Sequence, residues 1–267
     1  MSYVNVELSR RDINVLEKIK DPESNPYLAP QVDPSLPKDP HFSDEEYQKL
    51  AQQERDIILS IQNLELQHAK QQSADLTAIT EGYRTCVSRL SDLIQARPQY
   101  ASARNNRAQA LRRLYGDSVL IADAPRNPQA LLHDVSDAER IEAANTMLAD
   151  LGETISLVSP KVLYGSRVSP QVARTLSNAH TQRAAIYLMT SKLLGSSKSL
   201  SMDPARPESR WTKLDFETFA SQDFTMGGRY GNEIAKGLAV STNPTAKLCG
   251  QMVREAMRKE YGPDFAA

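Results

Sequence analysis

From residue 43 onwards apolar side chains recur at three- and four-residue spacing, and the pattern is broken at intervals by proline or glycine. A chain patterned in this way buries its apolar stripes by laying helix against helix. Alternation with a period of two is nowhere sustained, so an extensive sheet is excluded. The expected fold class is all-α.

The punctuation sets the helix limits. Ser43 followed by Asp44, Glu45 and Glu46 is an N-cap with acidic residues at the positive end of a helix dipole, and predicts a first helix over about Asp44 to Gln72 with Ile57, Ile61, Leu64 and His68 on one face. A second over Ala78 to Ala96 carries the stripe Tyr83, Cys86, Val87, Leu90, Leu93 and Ile94, and Pro98 stops it. The third, Ala101 to Tyr115, ends at Gly116-Asp117, a favourable C-terminal stop. The fourth, Asp137 to Val158, halts before Pro160, and the fifth starts at Ser169-Pro170 and runs to Leu194. Shorter helical stretches follow at Trp211 to Phe219, Asn232 to Val240 and Asn243 to Glu260, the last with Leu248, Met252, Val253 and Ala256 as its apolar face. About three antiparallel helix pairs followed by capping helices describe an α-solenoid.

Residues 1–42 read as an arm and 43–267 as the helical domain. Within the arm, Ser9 to Lys20 is amphipathic through Ile13, Leu16 and Ile19, which are expected to lie against the body. Six of the fifteen prolines fall between Pro22 and Pro40, predicting an extended linker. Residues 195–210, rich in serine with two prolines, read as a flexible insertion with little to pack. Gly227-Gly228-Arg229-Tyr230-Gly231 has no following Lys-Ser or Lys-Thr and no preceding strand, so it reads as a turn rather than a phosphate loop. Its aromatic neighbours Phe216, Phe219, Phe224 and Tyr230, with Trp211, read as a cap on the solenoid, a partner-binding surface being the alternative.

Charge and composition narrow the function classes. With 32 basic and 33 acidic residues the net charge is −1, which provides no global attraction for nucleic acid or an anionic membrane. Cys86 and Cys249 each sit within an apolar helical pattern and read as buried thiols in a reducing compartment. The first twenty residues lack a signal-peptide core, and no window reaches the length of a membrane span. A cytoplasmic protein with access to the nucleus is expected. His41, His68, His133 and His180 are scattered without ligand spacing, and no nucleophile motif or pair of carboxylates stands out, so no metal, cofactor or catalytic role is expected. His68, in a small-residue position of its helix, reads as a core or interface histidine.

The run Arg97-Pro98-Gln99-Tyr100-Ala101-Ser102-Ala103-Arg104-Asn105-Asn106-Arg107-Ala108-Gln109-Ala110-Leu111, with Leu114-Tyr115-Gly116-Asp117, resembles a junction between two tetratricopeptide repeats. Together with Asn243-Pro244-Thr245-Ala246-Lys247-Leu248-Cys249 and Met252, and with Asp12, Val15-Leu16, Ile19 and Asp21-Pro22, it is similar to the tetratricopeptide repeat protein 36 family. The resemblance implies a protein-interaction adaptor associated with Hsp70 and acting on client proteins. A scaffold that stabilises one client enzyme without a chaperone is the alternative.

Some tetratricopeptide co-chaperones hold a chaperone's C-terminal carboxylates in a clamp of lysine, arginine and asparagine, because convergent charge-assisted hydrogen bonds are strong. By resemblance Asn106 matches the clamp asparagine of the second repeat. The first-repeat positions fall on Glu65 and Ala69, and the third-repeat ones on about Asn178 and Gln182, so the clamp is broken. The third helix carries Arg104, Arg107, Arg112 and Arg113 and no acid. The expected peptide-binding donors are Arg104, Asn106 and Arg107 on it, with Asn178 and Arg183 on the fifth helix. The competing reading is that the arginines solvate the helix or pair with Asp117 and Asp123.

Overall fold

The computed structural model describes residues 30–70, 76–125, 129–162, 166–194 and 198–261. These are mostly helical. In chain order the α-helices are α1 (Asp44–Lys70), α2 (Leu76–Ala96), α3 (Ala101–Tyr115), α4 (Asp137–Val158), α5 (Pro170–Leu194), α6 (Lys213–Arg229), α7 (Glu233–Thr242) and α8 (Pro244–Tyr261), with a 3-10 turn at Pro207–Arg210. The amphipathic segment Ser9 to Lys20 lies outside the described residues.

The cap expected at Ser43 is in place, and the structure adds others. At α1, Ser43 Oγ accepts from the Glu46 amide while the Glu46 carboxylate accepts from Ser43, a reciprocal capping box. Ser136 and Asn232 accept from the amides three residues on, and Thr212 and Asp215 form a second capping box. Gly116 at the end of α3 has φ +80°, a left-handed conformation that costs glycine nothing.

Each helix packs chiefly on its neighbours in sequence, α5 against α6 most extensively, and α3 also reaches α5. Apolar clusters sit at these seams. Ile57, Cys86, Leu90, Ile94 and Tyr100 join α1, α2 and the start of α3. Ala108, Leu111, Ala144, Met147, Leu148, Leu151, Ile186 and Phe216 join α3 through α6. Small Ala108 and Ala144, both fully buried, let α3 and α4 approach closely. Buried Tyr100 and Tyr187 and partly buried Tyr115 each keep their hydroxyl satisfied by a glutamate, respectively Glu54, Glu208 and Glu139.

Four sequence expectations need correction. The described part of the proline-rich segment, from residue 30, is anchored and turns rather than running on extended: Gln31–Val32 (β1) pairs in parallel with Arg167–Val168 (β2), and Arg167 adds an ion pair to Asp33. Part of the supposed insertion packs. Leu200 bridges antiparallel to Ile121, Met202 is buried, and buried Glu208 is held by Arg206 and Tyr187. Gly227 and Gly228 are not a turn, because α6 runs through both. A Cβ on Gly227 would come within 2.5 Å of Thr181 Oγ1 and one on Gly228 within 2.9 Å of the Lys236 backbone, so these glycines let α6 press onto α5 and α7. The turn itself is at Gly231, with φ +104°. Finally, Cys86 is buried but Cys249 is exposed, since none of α8 is buried.

The aromatic residues pack among themselves and into the core. Phe216 and Phe224 are fully buried core residues, and Trp211 stacks on Phe219 and meets Phe216 edge-on. No helix among the described residues is long and apolar enough to cross a membrane.

Candidate functional site

A concavity of about 780 Å³ opens between α1 and α3, within the size range of ligand clefts. Helical spacing creates its walls. Ile58, Ile61, Gln62, Glu65 and Leu66 recur at three to four residues on α1, and Asn106, Gln109, Ala110 and Arg113 do the same on α3. The floor is apolar, and Leu66 remains 54 % exposed within it. Gln62 and Gln109 supply amide donors and acceptors along the two walls.

The cations of the rim are neutralised within the chain. Arg113 Nε lies 2.6 Å from Glu65 Oε1 and its Nη2 3.2 Å from Oε2, and the Tyr83 hydroxyl donates to the same carboxylate. Arg113 holds the Glu65 carboxyl below its ordinary range. Arg112 makes a bidentate pair to Asp117, at 2.6 and 2.9 Å, as the competing sequence reading had it.

Asn106, the residue matched to a clamp asparagine, donates at 2.7 Å to Glu54 Oε1, while Tyr100 donates at 2.6 Å to Oε2. Glu54 is buried. Burial raises its pKa and the neutral donors Tyr100, Ser102 and Asn106 offset only part of that rise.

The other expected donors do not converge on this cleft. Arg107 grips Asp150 of α4 through Nε at 2.7 Å and Nη2 at 2.8 Å, and Arg104 reaches the same carboxylate at 3.3 Å. Asp150 is only 1 % exposed, so the two arginines bolt α3 to α4. Arg183 makes a bidentate pair to Asp223 of α6, which also receives His180 Nδ1 at 2.7 Å. Burial alone would raise the pKa of Asp223, but the guanidinium and imidazole overcome it and hold the carboxyl below its ordinary value. Gln182 is buried on Asn105. Asn178 is exposed on α5, apart from these pairs. Of the expected donors, Asn106 is thus held by Glu54 of α1, Arg104 and Arg107 by Asp150 of α4, and Arg183 by Asp223 of α6. Sequence reasoning overlooked Gln62, Leu66 and Gln109 as cleft residues. The signal that existed was Gln62 and Leu66 at four-residue spacing beside the α1 stripe.

Of the other histidines, His41 Nε2 lies 2.9 Å from the Leu157 carbonyl and His68 is half-buried at the end of α1. No group of three metal-ligating side chains occurs among the described residues.

Comparison with known proteins adds an independent line. The chain is 36 % identical over 257 residues to the L-tyrosine degradation gene cluster protein hmgX of Aspergillus fumigatus, covering 95 % of this chain and 93 % of that one. It is 26 % identical to the tetratricopeptide repeat protein 36 homologs of Drosophila pseudoobscura and Drosophila melanogaster, over 96 % of this chain and 97 % of each. No family model matches, and no solved structure does so.

Proposed function

We propose that this chain, which belongs to the tetratricopeptide repeat protein 36 family, is a non-catalytic adaptor whose helix pairs stack as an α-solenoid and whose α1–α3 cleft receives a segment of a partner protein. The neighbour-to-neighbour packing of α1 to α6, with α3 also touching α5, supports the stacked arrangement. The observation that carries the binding reading is the cleft's chemistry. An apolar floor around Leu66, left open by the described residues, is flanked by the amides of Gln62 and Gln109, while each rim arginine is already matched by a carboxylate. Such a surface suits an apolar segment whose backbone polar groups meet the glutamines.

The relative in Aspergillus fumigatus is named for an L-tyrosine degradation gene cluster. We assign the partner to the enzymes of aromatic amino-acid breakdown, with this chain as a scaffold that stabilises one of them. An Hsp70-linked adaptor is the second reading. A chaperone-tail carboxylate would have to compete with Glu54 for Asn106, so a chaperone contact belongs elsewhere on the surface.

Affinity capture with the wild-type chain and with Leu66→Glu tests both. Recovery of such an enzyme by the wild type and its loss with the variant, at unchanged thermal stability, is the expected result. Equal recovery by both would remove the cleft from the binding reading, and Hsp70 enriched without any such enzyme would favour the chaperone adaptor.

A further inference from the structure

The last helix departs from the packing that joins the rest of the stack. α8 meets the body along one edge of its first two turns, where Ala246 and Gly250 are partly buried and Lys247 pairs with Glu217 of α6. Every residue from Gln251 to Tyr261 is exposed. At about 100° per residue, Leu248, Met252 and Ala256 fall on the side opposite that edge. Cys249, Val253 and Met257 continue the apolar surface until it covers about half of the circumference. Leu248, Met252 and Val253 are each more than half exposed. The helix has 18 residues and carries this face over about 27 Å, an extent that marks an interaction site.

The charge on the same helix identifies what covers it. α8 has four cations, Lys247, Arg254, Arg258 and Lys259, against two acids, Glu255 and Glu260, in a chain whose net charge is −1. The positive excess is therefore local. Lys247, Arg254 and Arg258 line the half of the helix opposite the apolar face, and Lys259 follows Leu248 on the apolar margin three turns later. Among the described residues no ion pair holds Arg254, Arg258 or Lys259.

Two α8 helices laid face to face would bring like charges together, which disfavours a second copy as the cover. The α1–α3 cleft of another copy provides no attraction either, since its arginines are matched by Glu65 and Asp117. A surface of anionic lipid headgroups satisfies both halves of the helix. The apolar side chains enter the boundary between headgroups and acyl chains. A helix about 10–12 Å across keeps the cations of its polar half within about one Debye length of the phosphates. Because Leu248, Met252 and Ala256 point away from the body, a plane can approach them without meeting the other helices.

We propose that α8 is an interfacial helix that binds an anionic membrane surface, lying in its plane through Leu248, Met252, Val253, Ala256 and Met257, with Arg254, Arg258 and Lys259 attracted to the headgroups. The inference is independent of the adaptor reading. The cleft is lined by residues between Ile58 and Gln129 and takes nothing from α8, so a chain seated on a bilayer keeps the cleft for its partner.

Vesicle flotation of the full chain tests the proposal, with vesicles of phosphatidylcholine alone and vesicles in which about one lipid in three is phosphatidylserine. The wild type should bind the anionic vesicles about tenfold or more tightly than the neutral ones, and less tightly as added salt shortens the Debye length. Met252→Glu and the double change Arg254→Gln with Arg258→Gln alter exposed side chains, so the melting temperature should not move. The first should abolish flotation with both vesicles, and the second should remove the preference for the anionic ones. Flotation unchanged by Met252→Glu would overturn the proposal. So would a wild type that fails to float with anionic vesicles, leaving the face to a groove on a partner protein. A dimer seen by light scattering in place of flotation, and lost in Met252→Glu, would overturn it in favour of a second copy.

Discussion

Glu54 offers the most informative single substitution, because its carboxylate is buried on neutral donors. Glu54→Ala leaves the Tyr100 hydroxyl and the Asn106 amide, now at 2.6 and 2.7 Å from the carboxylate, without an acceptor. An unsatisfied buried donor costs about 1–3 kcal/mol, and Asn106 can turn partly to solvent, so a loss of roughly 2–4 kcal/mol is expected. Glu54→Gln keeps one acceptor oxygen, facing Asn106, lets its NH2 donate to the Tyr100 hydroxyl oxygen, and removes the charge that burial penalises. It should therefore be at least as stable as the wild type at pH 7. The pH dependence fixes the sign. Burial raises the folded-state pKa above the ordinary 4.5, so the folded chain holds the proton more tightly than the unfolded one, and wild-type stability falls as pH rises through the interval between the two values. The advantage of Glu54→Gln should accordingly grow with pH across that interval and level off above it. Urea unfolding of the three proteins between pH 4.5 and 7.5 measures this, provided the m-value is unchanged. A Glu54→Gln variant weaker by more than about 1 kcal/mol at pH 7, with a deficit that widens as pH rises, would show that the carboxylate stabilises the fold and would refute the reasoning.

Other substitutions probe separate seams. Asp150→Ala strands Arg104 and Arg107 at the α3–α4 interface and should cost about 3 kcal/mol or more in chemical denaturation. Leu90, wholly buried between α1 and α2, should cost about 2–5 kcal/mol when changed to alanine, by the same measurement. Gly228→Ala drives a methyl into the Lys236 backbone and should destabilise by about 1–3 kcal/mol, read as a lowered melting temperature. A calorimetric titration with an acidic C-terminal chaperone peptide should give no detectable micromolar binding, and binding at that level abolished by Asn106→Ala would show that the amide can leave Glu54.

Local signals made the helices legible. Ser43, Pro98, Gly116, Ser136 and Pro170 each act on the backbone within a turn of themselves, so a single sequence displays where helices begin and end. Gly227 and Gly228 misled because glycine serves two purposes, turning a chain and thinning a helix, and the distinction depends on Thr181 and Lys236 far along or across the fold. The arginines of α3 stand out in the sequence, but their partners are set by distance in space. Asp150 is 43 residues from Arg107, and Glu54 is 52 from Asn106. Neither partner differs in sequence from an ordinary surface acid. The cleft was illegible for a similar reason, since Leu66 belongs to α1's helical pattern and only the placement of α3 shows that nothing described covers it.

The pairing of β1 with β2 has a consequence for how the molecule folds. Contacts among the helices are nearly all between sequence neighbours, a low-contact-order arrangement that assembles quickly. Asp33 and Arg167, by contrast, meet across 134 residues, so their loop closes at little entropic cost only after α1 to α4 have shortened the path between them. The strap is thus fastened late in refolding and, having only two residues in each strand, opens more readily than the helix seams under native conditions. Its opening frees the point from which the first thirty residues set out, while the apolar seams between helices stay closed.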